Sequence, residues 1–464
     1  MLNTKNKVKA ERLTSGKERF SYALYFLEQN CFYITIFVFL MTYFTDVGIP
    51  ALAVAAVTLV VKVWDAVNDP IFGGIVDRVQ FKKGKFLPWL RISLVAIPAA
   101  TIFLFAIPSD ISVSAKVIWA CAGYILWDMA YTICDVPIFG IVTTMTDKSE
   151  ERTLLITFGR VAALVAGTLV GMTIPAVRGA LGGWFITALA ISAAGFLTMI
   201  PICFTAKERF HTGPGPEQPE VGVKAMFKYI SKNKYMLIFF GALTLYSSAQ
   251  ISQNLGMYGA RFLLGNESLM MITTMAGFPP MLIVAAFIPL LTKKFGKYKL
   301  MVFAFVTLIV TSIVSYFVGY SNFVAYMVMV MIKNIPVALV AMLMFLFTPD
   351  CVEYGQYKSG ISAPGITFSI QTFTAKLTAA LATSIGALML SLIGFIEGEN
   401  AIQPEGFTGR FWFWSTFVPV IGTALALILF RFFDLKDADV QIMADCNNGK
   451  ITREEAEKLL GNIN

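Results

Sequence analysis

Three aspartates stand in apolar runs, where charge is costly. Trp64-Asp65-Ala66-Val67-Asn68-Asp69-Pro70 sets Asp65 and Asp69 four residues apart, with Asn68 beside them. On a helix that spacing puts both carboxylates and the amide on one face. Two carboxylates and an amide oxygen suit a small hard cation. Tyr131-Thr132-Ile133-Cys134-Asp135-Val136-Pro137 puts Tyr131, Thr132 and Asp135 on another shared face. Asp135 and the Thr132 hydroxyl would complete an oxygen cage for Na+ with Asp65, Asn68 and Asp69. Pro70 would free the carbonyl of Ala66, and Pro137 that of Ile133. Freed carbonyls at membrane depth belong where they line a cavity or bind an ion. A single aspartate would be read as pairing with Lys62 or Arg160. Three, with Asn and Thr at helical spacing, favour the cage. Further along stand Arg160 and Gln371-Thr372-Phe373-Thr374-Ala375-Lys376, with Thr372 and Lys376 on one face. Charged donors and acceptors in forks recognise sugar hydroxyls, and an aromatic covers a ring face. Tyr131 and Phe139 would supply that aromatic surface.

The elements that must hold these groups follow from composition. The chain has 464 residues, 57% hydrophobic and 14% charged, where a soluble protein carries about 25% charged residues. Mean hydropathy is +0.70. A soluble enzyme, a nucleic-acid binder and a disordered scaffold are excluded, and an all-α, multi-pass membrane protein is predicted. Apolar segments predict twelve helices, at about 20–45, 50–78, 86–108, 112–145, 153–177, 183–205, 233–262, 267–292, 299–319, 323–350, 362–394 and 407–433. The six cysteines form no CxxC pair and read as reduced packing thiols. The only histidine, His211, lies in a polar stretch, so no histidine metal site or proton relay is available. No Walker motif or other cofactor motif is present. The polar start, with Lys5, Lys7, Lys9, Arg12, Lys17 and Arg19, is too long for a signal n-region, so the first run is expected to stay as a span.

The organisation predicted is a tail (1–19), a six-helix half (20–205), a linker (206–232), a second six-helix half (233–434) and a polar C-terminal tail (435–464). The linker is rich in Gly and Pro and ends in a basic stretch from Lys224 to Lys232. Basic residues collect in the N-terminal tail, after the second helix (Arg78, Lys82, Lys83, Lys85), in the linker and after the eighth (Lys293, Lys294, Lys297, Lys299). The intervening loops are poor in them, which places both termini in the cytoplasm and accounts for the +8 net charge. Gly84-Lys85-Phe86 is echoed by Gly296-Lys297-Tyr298, and Asp147 by Asp350. These echoes suggest a 6+6 duplication, the plan of the major facilitator architecture. In the last segment, Thr452-Arg-Glu-Glu455 is a capping box for a short helix in an otherwise solvated tail. Asp445-Cys-Asn447-Asn-Gly449 fails as a calcium loop, because Gly449 is one position early and Ala456 takes the twelfth.

With these motifs in view, the chain resembles the glycoside–pentoside–hexuronide:cation symporters of the major facilitator superfamily. The resemblance spans most of the sequence. It rests on WDAVNDP at 64–70, GKFLPW at 84–89, YTICDVP at 131–137, Arg160, DCVEYG at 350–355 and QTFTAK at 371–376. It implies that Asp65, Asn68, Asp69 and Thr132 serve the cation and that Asp135 sits where cation and sugar sites join. It implies that Tyr131, Arg160, Thr372 and Lys376 lie at or near the sugar. Phe139 falls where a sugar-transporting member has a tryptophan. Asn30 and Gln29 stand at sugar-contacting positions that are acidic and basic there, and Ala341 replaces another tryptophan. The cation site therefore looks intact and the sugar site altered. Neutral Asn30 beside Arg160 and Lys376 opens the site to an anionic sugar.

The expected activity is uptake of a glycoside or related sugar by cation symport and alternating access, in a bacterial plasma or inner membrane. Na+ is favoured because Thr and Asn oxygens suit a metal ion; H+ remains available because a desolvated Asp can titrate. The expected partners are the sugar, the coupling cation and membrane lipid, with no nucleic acid and a functional monomer. The alternative is a major facilitator carrier of a non-sugar solute, such as a drug or a peptide; a drug carrier would need a broad apolar pocket and few fixed ion ligands, against which the acidic clusters argue. A less favoured alternative, a membrane-embedded, metal-dependent transferase using Asp65 and Asp69 as ligands, would work near the membrane surface with a phosphate-binding motif; neither a second acidic metal motif nor a nucleophile–base pair is found.

Overall fold

Apolar runs of some twenty residues can satisfy their backbone in hydrocarbon only as helices or closed barrels. The chain uses helices. A computed structural model describes residues 13–79, 81, 84–210, 229–361 and 364–460. The named helices are α1 (Gly16–Asp46), α2 (Ala51–Arg78), α3 (Leu87–Leu104), α4 (Val113–Met145), α5 (Ser149–Leu181), α6 (Trp184–Thr205), α7 (Lys234–Asn254), α8 (Gly256–Phe262), α9 (Leu269–Phe295), α10 (Lys297–Val318), α11 (Phe323–Ser359), α12 (Pro364–Leu392), α13 (Phe407–Phe430), α14 (Asp437–Asn447) and α15 (Arg453–Leu460). The described residues hold no β-strand beyond an isolated Phe81–Gly84 bridge. Eleven of the described helices are long and apolar enough to cross a membrane; α2 is a further long helix outside that eleven. His211 and the linker stretch up to Lys228 lie outside the described residues.

Local signals explain the helix ends. The Ser112, Asn233 and Asn322 side chains accept from Ala115, Met236 and Ala325 N–H at the starts of α4, α7 and α11. Gly360 ends α11 at φ 71°, a left-handed position that favours glycine. Two expectations need correction. The seventh span, expected unbroken over 233–262, divides at Leu255, whose backbone turns to φ −89° and ψ 0° between α7 and α8. The tenth run extends to Ser359, so Asp350-Cys-Val-Glu-Tyr-Gly355 is helical.

Contacts divide the chain into two compact units: Met1–Ile36 with Val63–Glu217, and Phe37–Lys62 with Gln218–Asn464. In the first, Tyr25 and Ser93 hydroxyls meet at 2.6 Å, joining α1 to α3, and Trp127 Nε1 donates to Thr101 at 3.0 Å, joining α4 to α3. Arg209, just past α6, forks onto Glu18 at 2.8 and 3.0 Å. Glu208 accepts from Lys85, Phe86 and Leu87 N–H at 2.9, 3.0 and 2.6 Å. Those are orphan donors at the α3 N-terminus, so one carboxylate caps the helix opened by the GKFLPW motif. Replacing Glu208 by Ala is expected to lower stability by about 1–2 kcal/mol, read by thermal unfolding in detergent. No change would show that α3 does not depend on this cap.

In the second unit, the α1–α2 corner packs with later helices. The Arg261 guanidinium forks onto Asp46 at 2.7 and 3.0 Å and reaches Glu267 at 2.5 Å. Thr45 and Tyr258 hydroxyls meet at 2.5 Å, and Glu397 accepts from Ala51 N–H at 3.0 Å. These bonds are why residues 37–62 group with the second unit. Its core is aromatic: Phe430 stacks on Phe433 at 5.2 Å, with Phe347 edge-on to both. The C-terminal segment is no solvated tail. Met443 of α14 and Ala456 of α15 are wholly buried in this core. Lys297 bridges Asp350 at 2.5 Å and Asp437 at 3.2 Å, fastening the start of α14. The capping box forms as the sequence predicts: Glu455 accepts from Thr452 N–H and hydroxyl at 2.8 and 3.0 Å. Those bonds hold its carboxyl below the usual range.

Candidate functional site

The first unit brings α1, α2 and α4 together around the predicted residues. On α2, Asp65 and Asn68 are buried and Asp69 is half-buried. Asn68 Nδ2 donates to Thr132 Oγ1 at 2.9 Å. The Thr132 hydroxyl in turn faces Asp69 Oδ1 at 3.2 Å and the Asp128 carbonyl at 3.0 Å. Helical spacing places Asn68 and Asp69 side by side, and the Thr132 hydroxyl, accepting from the one and donating to the other, ties α2 to α4.

One turn along α4, a second group forms. Gln29 of α1 donates through Nε2 to Asp135 Oδ1 at 2.8 Å and to the Tyr131 hydroxyl at 3.2 Å. Gln29 is fully buried, and its Oε1 accepts no hydrogen bond. An enclosed amide oxygen with no donor is costly, and a ligand hydroxyl would satisfy it. Tyr131 stacks on Trp127 with centroids 5.2 Å apart and planes 13° from parallel. The Phe139 ring lies 5.4 Å from the Arg160 guanidinium, with Phe26 edge-on at 5.3 Å. The Asn30 amide donates to the Phe26 carbonyl of its own helix at 2.8 Å.

Thr132 and Asp135 are three residues apart on α4, so the two groups share a helix. Asp69 belongs to the Asn68–Thr132 group and Asp135 to the Gln29–Tyr131 group. Among the described residues, no three His, Cys, Asp or Glu side chains converge as metal ligands, so Asp65, Asp69 and Asp135 are not gathered into one carboxylate cage. In the second unit, α12 carries Thr372, exposed, and Lys376, half-buried, as the sequence places them on one helix. Gln371 beside them is buried, and its Oε1 also accepts no hydrogen bond.

Several residues escape the motif reading. Trp127 and Asp128 lie one turn before Tyr131 and Thr132, so extending the α4 face upstream would have found both. Asp128 is 4% exposed inside a predicted span. Glu28 of α1 is also buried, and Lys333 of α11 is half-buried. Their charge inside apolar runs was the available signal. Gln29→Leu is expected to weaken glycoside binding by about 10- to 100-fold, because it removes the bond to Asp135 and the waiting acceptor. Equilibrium binding to purified protein checks this; unchanged affinity would remove Gln29 from the sugar site.

A family model described as MFS/sugar transport protein matches residues 21–437. The chain belongs to that family. It is thus a multi-pass membrane transporter of the major facilitator type, and no enzyme. Among curated relatives, the isoprimeverose transporter of Lactiplantibacillus pentosus is 25% identical over 459 residues, covering 94% of this chain and 92% of that one. The glucuronide carrier protein homolog of Escherichia coli (strain K12) is 25% identical over 439 residues, covering 90% and 92%. An uncharacterized symporter of Bacillus subtilis (strain 168) is 26% identical over 453 residues, covering 94% and 96%. The crystal structure of the nucleoside transporter NupG matches with a TM-score of 0.64 at 14% identity, covering 90% of this chain and 98% of that one. At that identity the likeness concerns the fold.

Proposed function

We propose that this transporter imports a glycoside or related sugar by symport with a cation, Na+ in preference to H+, through alternating access. The reading rests on the two groups that share α4. Asn68, Asp69 and Thr132, with Asp65 on the same α2 face, supply oxygens for the cation. Gln29, Tyr131 and Asp135 supply an acceptor, an aromatic face and a carboxylate for the sugar, with Arg160 as a further donor; Thr372 and Lys376 are proposed as sugar donors on the sequence resemblance alone. Relatives named for isoprimeverose and glucuronide carriage support a sugar. The resemblance to glycoside–pentoside–hexuronide:cation symporters, the twelve-span plan and the cytoplasmic termini belong to the same proposal.

Asp135 is one turn from Thr132, so it senses both solutes. A bound cation neutralises the α2 carboxylates and orders α4, and the sugar then meets a fixed acceptor. Linkage makes the effect reciprocal. One cation moving down ~100 mV releases about 2.3 kcal/mol, and a tenfold gradient adds about 1.4 kcal/mol. At one-to-one coupling these support roughly 500-fold accumulation. Uptake of lactose, raffinose, isoprimeverose and a methyl glucuronide into membrane vesicles, with and without Na+, tests the reading. The glucuronide belongs in the panel because Asn30 is neutral while Arg160 and Lys376 are cationic.

A further inference from the structure

Glu28 takes no part in the two groups above. It lies roughly 18 Å along α1 from the first residue of that helix and about 27 Å from the last, well inside the span. The residue is 9% exposed. Gln29 turns to α4, whereas Glu28 turns to α6. A Cβ placed on Gly195 would sit 2.9 Å from Glu28 Oε1 and 2.5 Å from the Phe32 ring, so the glycine leaves the space that the carboxyl and the ring fill.

The other acids fastening this unit have evident partners. Glu18 has Arg209, Glu151 has the Leu13 and Thr14 N–H groups and the Thr14 hydroxyl, and Glu208 has the α3 N-terminus. Among the described residues, no hydrogen bond or ion pair reaches the Glu28 carboxylate. The sequence of α6 contains no charged residue, histidine or tyrosine, and Cys203 is its only titratable group. On α1, Cys31 is within electrostatic range. Arg160 of α5 lies over Phe139 and forms no ion pair with Glu28. Unpaired charge inside a span is costly, and a carboxyl group escapes that cost by binding a proton.

We propose that Glu28, in its niche against Gly195, is a proton-binding site separate from the α2 face, and that sugar transport by this chain carries a proton through it. The inference rests on the sugar-symport reading above. The step is a proton added to one carboxylate oxygen on one side of the membrane and released on the other, with no change of oxidation state. Gln29, the next residue, holds Asp135 and Tyr131. Any movement of α1 that opens Glu28 to water therefore also moves a sugar-side group.

The test uses the full chain in Na+-free proteoliposomes containing a pH-sensitive dye, with the four-sugar panel. Wild type is expected to acidify the lumen when a transported sugar is added outside. Glu28→Gln is expected to cut that proton flux at least about tenfold while retaining sugar exchange at equal concentrations. Full proton flux in Glu28→Gln would overturn the proposal. So would sugar uptake by wild type with no proton flux, which leaves the sugar reading standing. No flux or exchange of any panel sugar in wild type without Na+, with uptake appearing once Na+ is added, would overturn the proposal alone; none in either condition would overturn the sugar reading and the proposal with it. Should Glu28→Gln not fold, Glu28→Asp keeps a carboxyl group and is expected to retain flux with a displaced pH profile; an unchanged profile would count against Glu28.

Discussion

Replacing Asp69 by Cys is expected to abolish Na+-stimulated glycoside uptake, removing the accumulation, up to roughly 500-fold, that a Na+ gradient drives, while exchange of sugar across the membrane persists. Asp69 is half-buried on α2, and its Oδ1 is the carboxylate oxygen that faces the Thr132 hydroxyl at 3.2 Å. Asn68 meets the same hydroxyl at 2.9 Å. Without the Asp69 carboxylate the group keeps two neutral oxygens and Asp65, so a cation loses one of its charged ligands and the gradient loses its hold on the cycle. Uptake of the panel by vesicles with and without an inward Na+ gradient reads the effect. Undiminished Na+ stimulation in Asp69→Cys would move the cation site elsewhere.

The second large effect concerns stability. Arg261→Met is expected to destabilise the protein by about 3–5 kcal/mol, because it removes the guanidinium that both carboxylate oxygens of buried Asp46 bind. The Asp46 side chain is 1% exposed and accepts both ends of the guanidinium fork. Burial works against the Arg261 charge, yet the bonds from Asp46 and Glu267 hold it above its ordinary range. Adding Asp46→Asn removes the buried carboxylate charge that faced the guanidinium and is expected to recover part of the loss. Thermal unfolding in detergent compares the single and double variants. Equal stability of Arg261→Met and wild type would mean that this corner is not fastened by the ion pair.

The positions of the long helices were legible because apolar runs, glycines and prolines mark them directly. The α4 face was legible too, since Tyr131, Thr132 and Asp135 share it at helical spacing. Contacts between distant segments were not. Nothing in Glu208 announces that it caps α3, and the Gly256 that marks where the seventh run divides stands inside an apolar run, as glycines tolerated within helices also do. The C-terminal segment looked solvated because its polar residues outnumber Met443, Ala456 and Leu460, the few that bury. Gln29 came into view through family resemblance rather than through its own chemistry, and the structure adds its bonds to Asp135 and Tyr131. Sparse charge pointed to Asp65, Asp69 and Asp135, and the structure adds the Thr132 hydroxyl beside Asp69 and the Gln29 amide beside Asp135. Glu28, Asp128 and Lys333 show that intramembrane charge in this chain extends beyond the recognisable motifs.

The most direct measurement is uptake of lactose, raffinose, isoprimeverose and a methyl glucuronide by vesicles carrying the wild-type chain, with an inward Na+ gradient, an inward proton gradient or neither. At least one intact sugar is expected to accumulate above its outside concentration when a cation gradient is present, and to reach only equilibrium when both are absent. Sugar that never exceeds equilibrium under either gradient, or that accumulates equally with none, would contradict cation-coupled sugar transport.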